Sequence, residues 1–370
     1  MDYYLIAMAY SREYCVICNN NDFEIINTFE RFPIMAISND LVQEQYYDFV
    51  PMSCKKCGCL QIKNLVDQKL LYSNVYMTAN FSPSWLDHYS HFAEFILKNT
   101  VNANFVEIGA NKGDVYNIIS KSRNVNYTVL DMHKHPELSD SAHFIEGDCE
   151  TFDFSGFSSV IMSHVFEHLY SPRTFVENAR KCDVQEIFIS IPNFDELLKE
   201  QSLILIYSQH TFFCGFDYIV YLFSLYNYKC ESHYFYNGNV KSTMFKFKLC
   251  ESTFPVETPH PNSELYKEIY VDKINQIRNT KTKSNSYIYP AGIYGQLFYY
   301  CLSESDKSNI VGFLDNNSNR HNNTLYGTDK LTFHPNTIDY GVSNIIVCDC
   351  PYKQEILEDL ETKRANVYIH

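Results

Sequence analysis

The chain has 370 residues, enough for two or three domains; 45% of them are hydrophobic and only 20% charged, which supplies a large core and argues against extended disorder. A net charge of −14, with Lys and Arg scattered, excludes a general nucleic-acid binder, which needs a basic face to displace phosphate counterions. No apolar run approaches the ~20 residues of a membrane-spanning helix, and Met1-Asp2-Tyr3-Tyr4 sets an acid where a secretory signal carries basic residues, so a cytoplasmic protein with no membrane partner is expected. Thirteen cysteines then stay mostly reduced, and paired ones point to metal rather than to disulfides.

The first element is such a pairing. Cys15-Val16-Ile17-Cys18 and Cys54-Lys55-Lys56-Cys57 are two CxxC turns. Each turn sets two thiolates at one corner of a tetrahedron, and two turns complete four-sulfur ligation of Zn²⁺. Lys55, Lys56 and the turn amides offset the thiolate charge, and Gly58 admits a left-handed backbone. The 35-residue gap between the pairs implies an inserted strand or loop. Four sulfurs leave no open position, so the metal is expected to be structural. A set of buried thiols or a redox pair is the competing reading.

From Asn104 strands alternate with helices. Strands are predicted at 105–109, 127–131, 143–147, 160–163 and 186–191, with helices at 113–121 and 172–181. Segments 229–236 and 242–249 flank Asn237-Gly238-Asn239 and read as a hairpin. Parallel βα units closed by an antiparallel hairpin describe a doubly wound class I methyltransferase sheet, whose ligand lies beyond the carboxyl ends of the strands. The residues at those ends suit S-adenosylmethionine. Gly109 lets the backbone approach a ligand and Gly113 leaves room at the helix start. Asn111 stands where dinucleotide folds often keep Gly, which disfavours a pyrophosphate. Glu107 accepts from the methionine amine, and Asp131, 24 residues on and followed by Met132, suits the ribose hydroxyls. Asp148 and Cys149 end the third strand, where Asp148 accepts from the adenine amine. Ser163 and His164 end the fourth, under the sulfonium. A Rossmann-like fold without that ligand remains the alternative.

At this point the chain resembles a known family, the three-domain sugar C-methyltransferases that act on nucleotide-linked keto-deoxysugars. The resemblance runs through the two CxxC pairs, Ser82-Pro83-Ser84-Trp85-Leu86-Asp87-His88, the Glu107–Gly113 loop and His164-Val165-Phe166-Glu167-His168-Leu169. It continues through Tyr207-Ser208-Gln209-His210-Thr211-Phe212-Phe213, Tyr289-Pro290-Ala291-Gly292-Ile293-Tyr294-Gly295 and Gly312-Phe313-Leu314-Asp315-Asn316. It implies a zinc-binding domain over 1–75, a methyltransferase domain over 76–250 and a C-terminal Rossmann-like α/β domain over 251–370. It also implies that His210 is the general base and that Tyr76, His168 and Tyr207 surround the acceptor, with Tyr72 and Phe81 competing for the place of Tyr76. The chemistry is removal of a proton next to a ketone and methylation of the resulting carbanion, which needs a near-neutral base, a donor for the enolate oxygen and alignment. One departure stands out. The family often has Glu before the catalytic His, whereas here Gln209, a neutral amide, can only orient the imidazole. Oxygen or nitrogen methylation of another small molecule stays open, as does a non-catalytic zinc-bearing protein with a degenerate site.

Residues 251 to about 283 read as a connector punctuated by Pro255, Pro259 and Pro261. A second α/β pattern follows from Tyr287: 288–292 leads into a helix after Gly295, strands fall at 310–315, 344–348 and 367–369, and 352–363 is helical. Gly292, Gly295 and Asp315 imitate a dinucleotide site without its full fingerprint. The resemblance implies instead that this domain helps cradle the nucleotide part of the acceptor.

Overall fold

The computed structural model describes residues 10–34, 46–72, 83–200, 202, 207, 209–252, 256–259, 263–350, 352–363 and 365–369. The first part is β-rich: β1 (Tyr10–Ser11), β2 (Phe23–Ile25), β3 (Phe29–Pro33), β4 (Tyr46–Phe49), β5 (Pro51–Cys54), β6 (Leu60–Ile62) and β7 (Asn64–Leu65), ending in the short helix α1 (Gln68–Leu71). The gap between the CxxC pairs thus holds strands β2 to β4. Next come α2 (Pro83–Asn99), β8 (Asn104–Ile108), α3 (Asp114–Ser122), β9 (Asn126–Asp131), β10 (His143–Glu146), β11 (Ser159–Ser163), α4 (Pro172–Lys181), β12 (Glu186–Pro192), α5 (Phe194–Lys199), β13 (Phe212–Phe213), α6 (Phe216–Ser224), β14 (Tyr228–Tyr236) and β15 (Ser242–Leu249). The last part comprises α7 (Ser263–Arg278), β16 (Ser286–Tyr289), α8 (Ile293–Cys301), α9 (Glu304–Lys307), β17 (Ile310–Leu314), β18 (Thr332–Phe333), β19 (Asn344–Val347), α10 (Lys353–Thr362) and β20 (Asn366–Ile369).

The central sheet has the order β10-β9-β8-β11-β12-β15-β14. Its first five strands are parallel, and the β14–β15 hairpin joins β12 antiparallel. This mixed, parallel-rich order is consistent with a class I methyltransferase sheet. Strand β12 is buried along all its length, the near-continuous apolar burial expected of a strand covered on both faces. On one face α2 and α3 pack Phe92, Ile96, Val115 and Ile119 against Phe105, Val129 and Phe188. On the other, α4 starts with Pro172 at its first turn and sets Phe175, Val176 and Ala179 against Val160, Ile187 and Phe247. Each such large side chain contributes about 1.5–3 kcal/mol on burial.

Strands β13-β6-β5-β2 form a four-stranded antiparallel sheet beside the CxxC turns. Its edge strand β13 begins two residues after His210, so the cysteine-bearing sheet and the candidate base share one strand connection. The last sheet, β18-β17-β16-β19-β20, is wholly parallel. The expected connector is corrected here: 263–278 is helix α7, whose Tyr270, Ile274 and Ile277 are buried against Phe29, Phe49 and Phe298. Their helical spacing is diluted by Lys, Glu and Asp on the other faces and overshadowed by three upstream prolines.

Candidate functional site

In β8, β9, β10 and β11 the sequence-predicted donor residues all reach the carboxyl edge of the central sheet. Strand order reverses between β8 and β11, which opens a crevice there. Gly109 follows β8 at φ +66°, and a methyl on it would meet Val165 Cγ2 at 2.5 Å, so the loops after β8 and β11 touch only because this residue lacks a side chain. Asn111 and Gly113 are also left-handed, at φ 52° and 83°.

Glu107 is 2% exposed and accepts from the Tyr127 hydroxyl at 2.8 Å. Burial first, opposed by that hydroxyl and the Tyr116 amide, pushes its carboxyl up to about 8. Those two donors leave a carboxylate half of its lone-pair sites. Asp131 accepts from the amides of His133, Met132 and Asn111, yet burial still pushes it up to about 6. Asp148 Oδ1 accepts from the Glu150 amide at 2.9 Å. Cys149 is a buried thiol held well above its ordinary value by burial first and then by Glu150, Asp148 and Asp131. Ser163 Oγ is buried without a partner, and His164 takes φ 52°, a left-handed conformation uncommon for a non-glycine residue.

Beside this edge lies an aromatic and imidazole cluster. The His210 ring packs against those of His168 and Tyr207, with centroids 4.9 and 4.7 Å apart. His168 Nδ1 donates to the Gln209 carbonyl at 3.0 Å and lies 3.2 Å from the Tyr72 hydroxyl. Tyr207 donates to the Gln209 side-chain oxygen. Burial, then the neighbouring His168 and His164, lowers His210 well below its ordinary value, so it is neutral with a lone pair available. Burial raises Tyr207, which therefore remains a hydroxyl donor. Tyr76 and Phe81 lie outside the described residues; Tyr72, one of the competing tyrosines, is in the cluster.

Gln209 orients Tyr207 and His168, not His210. The carboxylate nearest His210 is Glu167, fully buried, with Oε1 3.9 Å from His210 Nε2 and 3.3 Å from His164 Nδ1. Sequence reasoning quoted Glu167 within a motif and gave it no role; its position three residues after His164 was the available signal. His88 and Trp85 were missed in the same way, and both rings contact His164 at 4.9 Å between centroids. Trp85 Nε1 also donates to the Tyr352 hydroxyl at 3.2 Å, which joins the C-terminal α/β part to this edge.

The second candidate site is the cysteine set. Sγ atoms of Cys15 and Cys57 are 3.6 Å apart, those of Cys18 and Cys54 3.5 Å, and all four lie within 4.8 Å of one another. Zn–S bonds of ~2.3 Å demand tetrahedral edges of about 3.8 Å, so the donor set fits. Hydrogen bonds from Cys15, Cys18 and Cys57 lower Cys54, while contacts with Cys15, Cys18 and Cys54 raise Cys57. Gly58 is left-handed, at φ 77°. The amide of Ile17 donates to Cys15 Sγ at 3.4 Å, whereas Lys55 pairs with Asp22 at 2.8 Å. Cys59 stands outside the set, 3.2 Å from Cys214 Sγ.

The apparent dinucleotide site after β16 is filled by the chain itself. Arg320 Nη1 donates to Asp315 at 2.6 Å and to the Ala291 carbonyl at 2.8 Å, and a methyl on Gly292 would meet it at 2.7 Å.

Among the described residues no helix is long and apolar enough to cross a membrane. No protein-family model and no curated protein matches the chain. Solved structures similar to it include an N-methyltransferase of Bradyrhizobium japonicum WM9 in complex with S-adenosyl-L-homocysteine, at 12% identity and TM-score 0.37, covering 46% of this chain and 90% of that one. Magnesium protoporphyrin IX methyltransferase of Synechocystis PCC 6803 is similar at 8% identity and TM-score 0.37, covering 45% of this chain and 84% of that one. An O-methyltransferase from neocarzinostatin biosynthesis is similar at 12% identity and TM-score 0.40, covering 50% and 61%.

Proposed function

We propose that the chain is an S-adenosylmethionine-dependent methyltransferase that methylates a carbon next to a ketone on a nucleotide-linked keto-deoxysugar. The observation that carries this reading is the alignment of Glu107, Asp131 and Asp148 on three adjacent strand ends, beside a neutral buried His210. Bound there, S-adenosylmethionine supplies a methyl group already activated on a sulfonium. Glu107 holds the amine, Asp131 the ribose and Asp148 the adenine, with Gly109 and Gly113 clearing the backbone. His210 Nδ1, buried and without a partner, takes the α-proton of the acceptor. Tyr72 donates to the enolate oxygen, a preorganised donor in a water-poor site, while the Tyr207 proton stays on Gln209. No metal is required for this step. Zn²⁺ held by Cys15, Cys18, Cys54 and Cys57 braces the fold that carries His210 through β13. The divisions near residues 75 and 250 belong to the same reading.

The test is methyl transfer to keto-sugar nucleotides, read by mass together with solvent deuterium exchange at the α-carbon. Exchange and a mass gain of one methyl on carbon are expected. A methyl found on oxygen or nitrogen, with no exchange, moves the chain to the other methyltransferase reading.

A further inference from the structure

Glu167 is a carboxylate with 0% exposure and no hydrogen-bond partner on either oxygen. Such a group requires an explanation, because an unpaired buried charge costs several kcal/mol. Its Oε1 stands between two imidazole nitrogens, His164 Nδ1 at 3.3 Å and His210 Nε2 at 3.9 Å. Proton accounting shows what those nitrogens present. The Ser242 hydroxyl has two acceptors at 2.9 Å, His164 Nε2 and the Val240 carbonyl. Donation to His164 leaves the ring proton on Nδ1, facing Glu167; donation to Val240 would set a lone pair against a carboxylate. With Glu167 ionised, above about 7, the first arrangement is the one that avoids this repulsion. The same charge, 3.9 Å from His210 Nε2, favours the ring proton on that nitrogen and leaves Nδ1 bare. His168 stays outside this pairing, since its Nδ1 is taken by the Gln209 carbonyl.

We propose that Glu167 is the positioning residue of the base: it fixes His210 in the Nε2–H form with the Nδ1 lone pair unpaired, and balances the imidazolium that forms. This rests on the methyltransferase reading above. The step balances: the acceptor C–H bond breaks, its proton forms Nδ1–H, its electron pair stays on the enolate, and the positive charge on His210 faces the Glu167 carboxylate. Glu167 thereby takes the place of the acid that Gln209 lacks. The groups facing the pair are His164, His168, Tyr72 and Tyr207. Both tyrosines stay protonated, raised by burial first, and burial lowers both remaining histidines. Burial raises Glu167 itself to about 7, so its charge is present above that pH and lost below it.

Glu167→Gln keeps the shape and removes the charge. In wild-type protein without any substrate, the ring signal of His210, assigned with a His210→Gln variant, is expected to titrate at least one pH unit higher than in E167Q. Methyl transfer and α-exchange in E167Q should fall about a hundredfold, with S-adenosylhomocysteine binding within twofold of wild type and partial recovery in E167D. Equal His210 titration in both proteins overturns the proposal, and so does a second metal equivalent lost in E167Q, because a cation would then occupy the proton's place. Should E167Q not fold, wild type decides alone: the Glu167 carboxyl and His210 ring must shift in one coupled transition, and independent transitions overturn it. The titration needs no acceptor, so its outcome is separable from failure of the methyltransferase reading, which would appear as absence of donor binding.

Discussion

Two clusters of metal-ligating side chains in this molecule are built from different residue types and suggest different occupants. Cys15, Cys18, Cys54 and Cys57 converge four sulfurs within 4.8 Å, and the Glu167, His168 and His210 group converges a carboxylate and two imidazoles within the same limit. Two of the sulfur pairs, at 3.6 and 3.5 Å, lie close to the edge of a Zn²⁺ tetrahedron. A dication at that set is our proposal. Around Glu167 the Gln209 carbonyl takes the Nδ1 proton of His168, and we propose that ring protons rather than a cation balance the carboxylate. Ligand inventory alone does not separate a metal centre from a proton relay; the hydrogen bonds behind the inventory do.

Replacing Cys54 by Ser should have the largest effect. One metal ion per chain is expected by elemental analysis, lost in C54S, with destabilisation on the order of 10 kcal/mol by analogy with zinc fingers. A metal-free protein with an unchanged urea midpoint would remove the zinc assignment. Next, His210→Ala should lower α-exchange by about 10²–10⁴-fold while donor binding persists; normal exchange takes His210 out of the base role.

Gly109→Ala should be smaller. The left-handed φ and the contact with Val165 predict a loss of about 1–3 kcal/mol in urea unfolding. G109A combined with Val165→Ala should recover the steric share alone, and full recovery would show that backbone strain plays no part. The smallest signal is a proton. Glu107 is protonated below about 8 in the free protein, and accepting the donor's ammonium requires the carboxylate. Binding near pH 7 should therefore release a proton from Glu107, seen as a dependence of binding heat on buffer ionisation enthalpy that fades above pH 8. For folding the sign is opposite to that of a salt-bridged acid: a carboxyl raised to about 8 costs stability as pH rises from the ordinary carboxylate range through 8. Glu107→Gln should flatten both dependences.

The central sheet was legible because its strands are short apolar runs bounded by turn residues, and strand ends place chemistry in a parallel sheet by rule. Segments 172–181 and 242–249 coincide with α4 and β15. Helix α7 was not legible, since its buried face is three residues wide in a polar surrounding. Strand β13 was missed because two residues carry no period; it exists through pairing with Leu60 and Gln61. Glu167 was hidden for a different reason. Its spacing from His164 hinted at a pairing, but a Glu flanked by Phe166 and His168 gives no local sign of burial, and only tertiary packing brings it to His210.

The most direct test of the account is calorimetric titration of the purified chain with S-adenosylhomocysteine. One site per chain is expected, weakened about tenfold or more by Asp131→Asn, the loss of a hydrogen bond to a charged group. Absence of binding heat at temperatures on either side of ambient, with the protein folded and metal-loaded, would contradict the assignment of the strand ends to the donor.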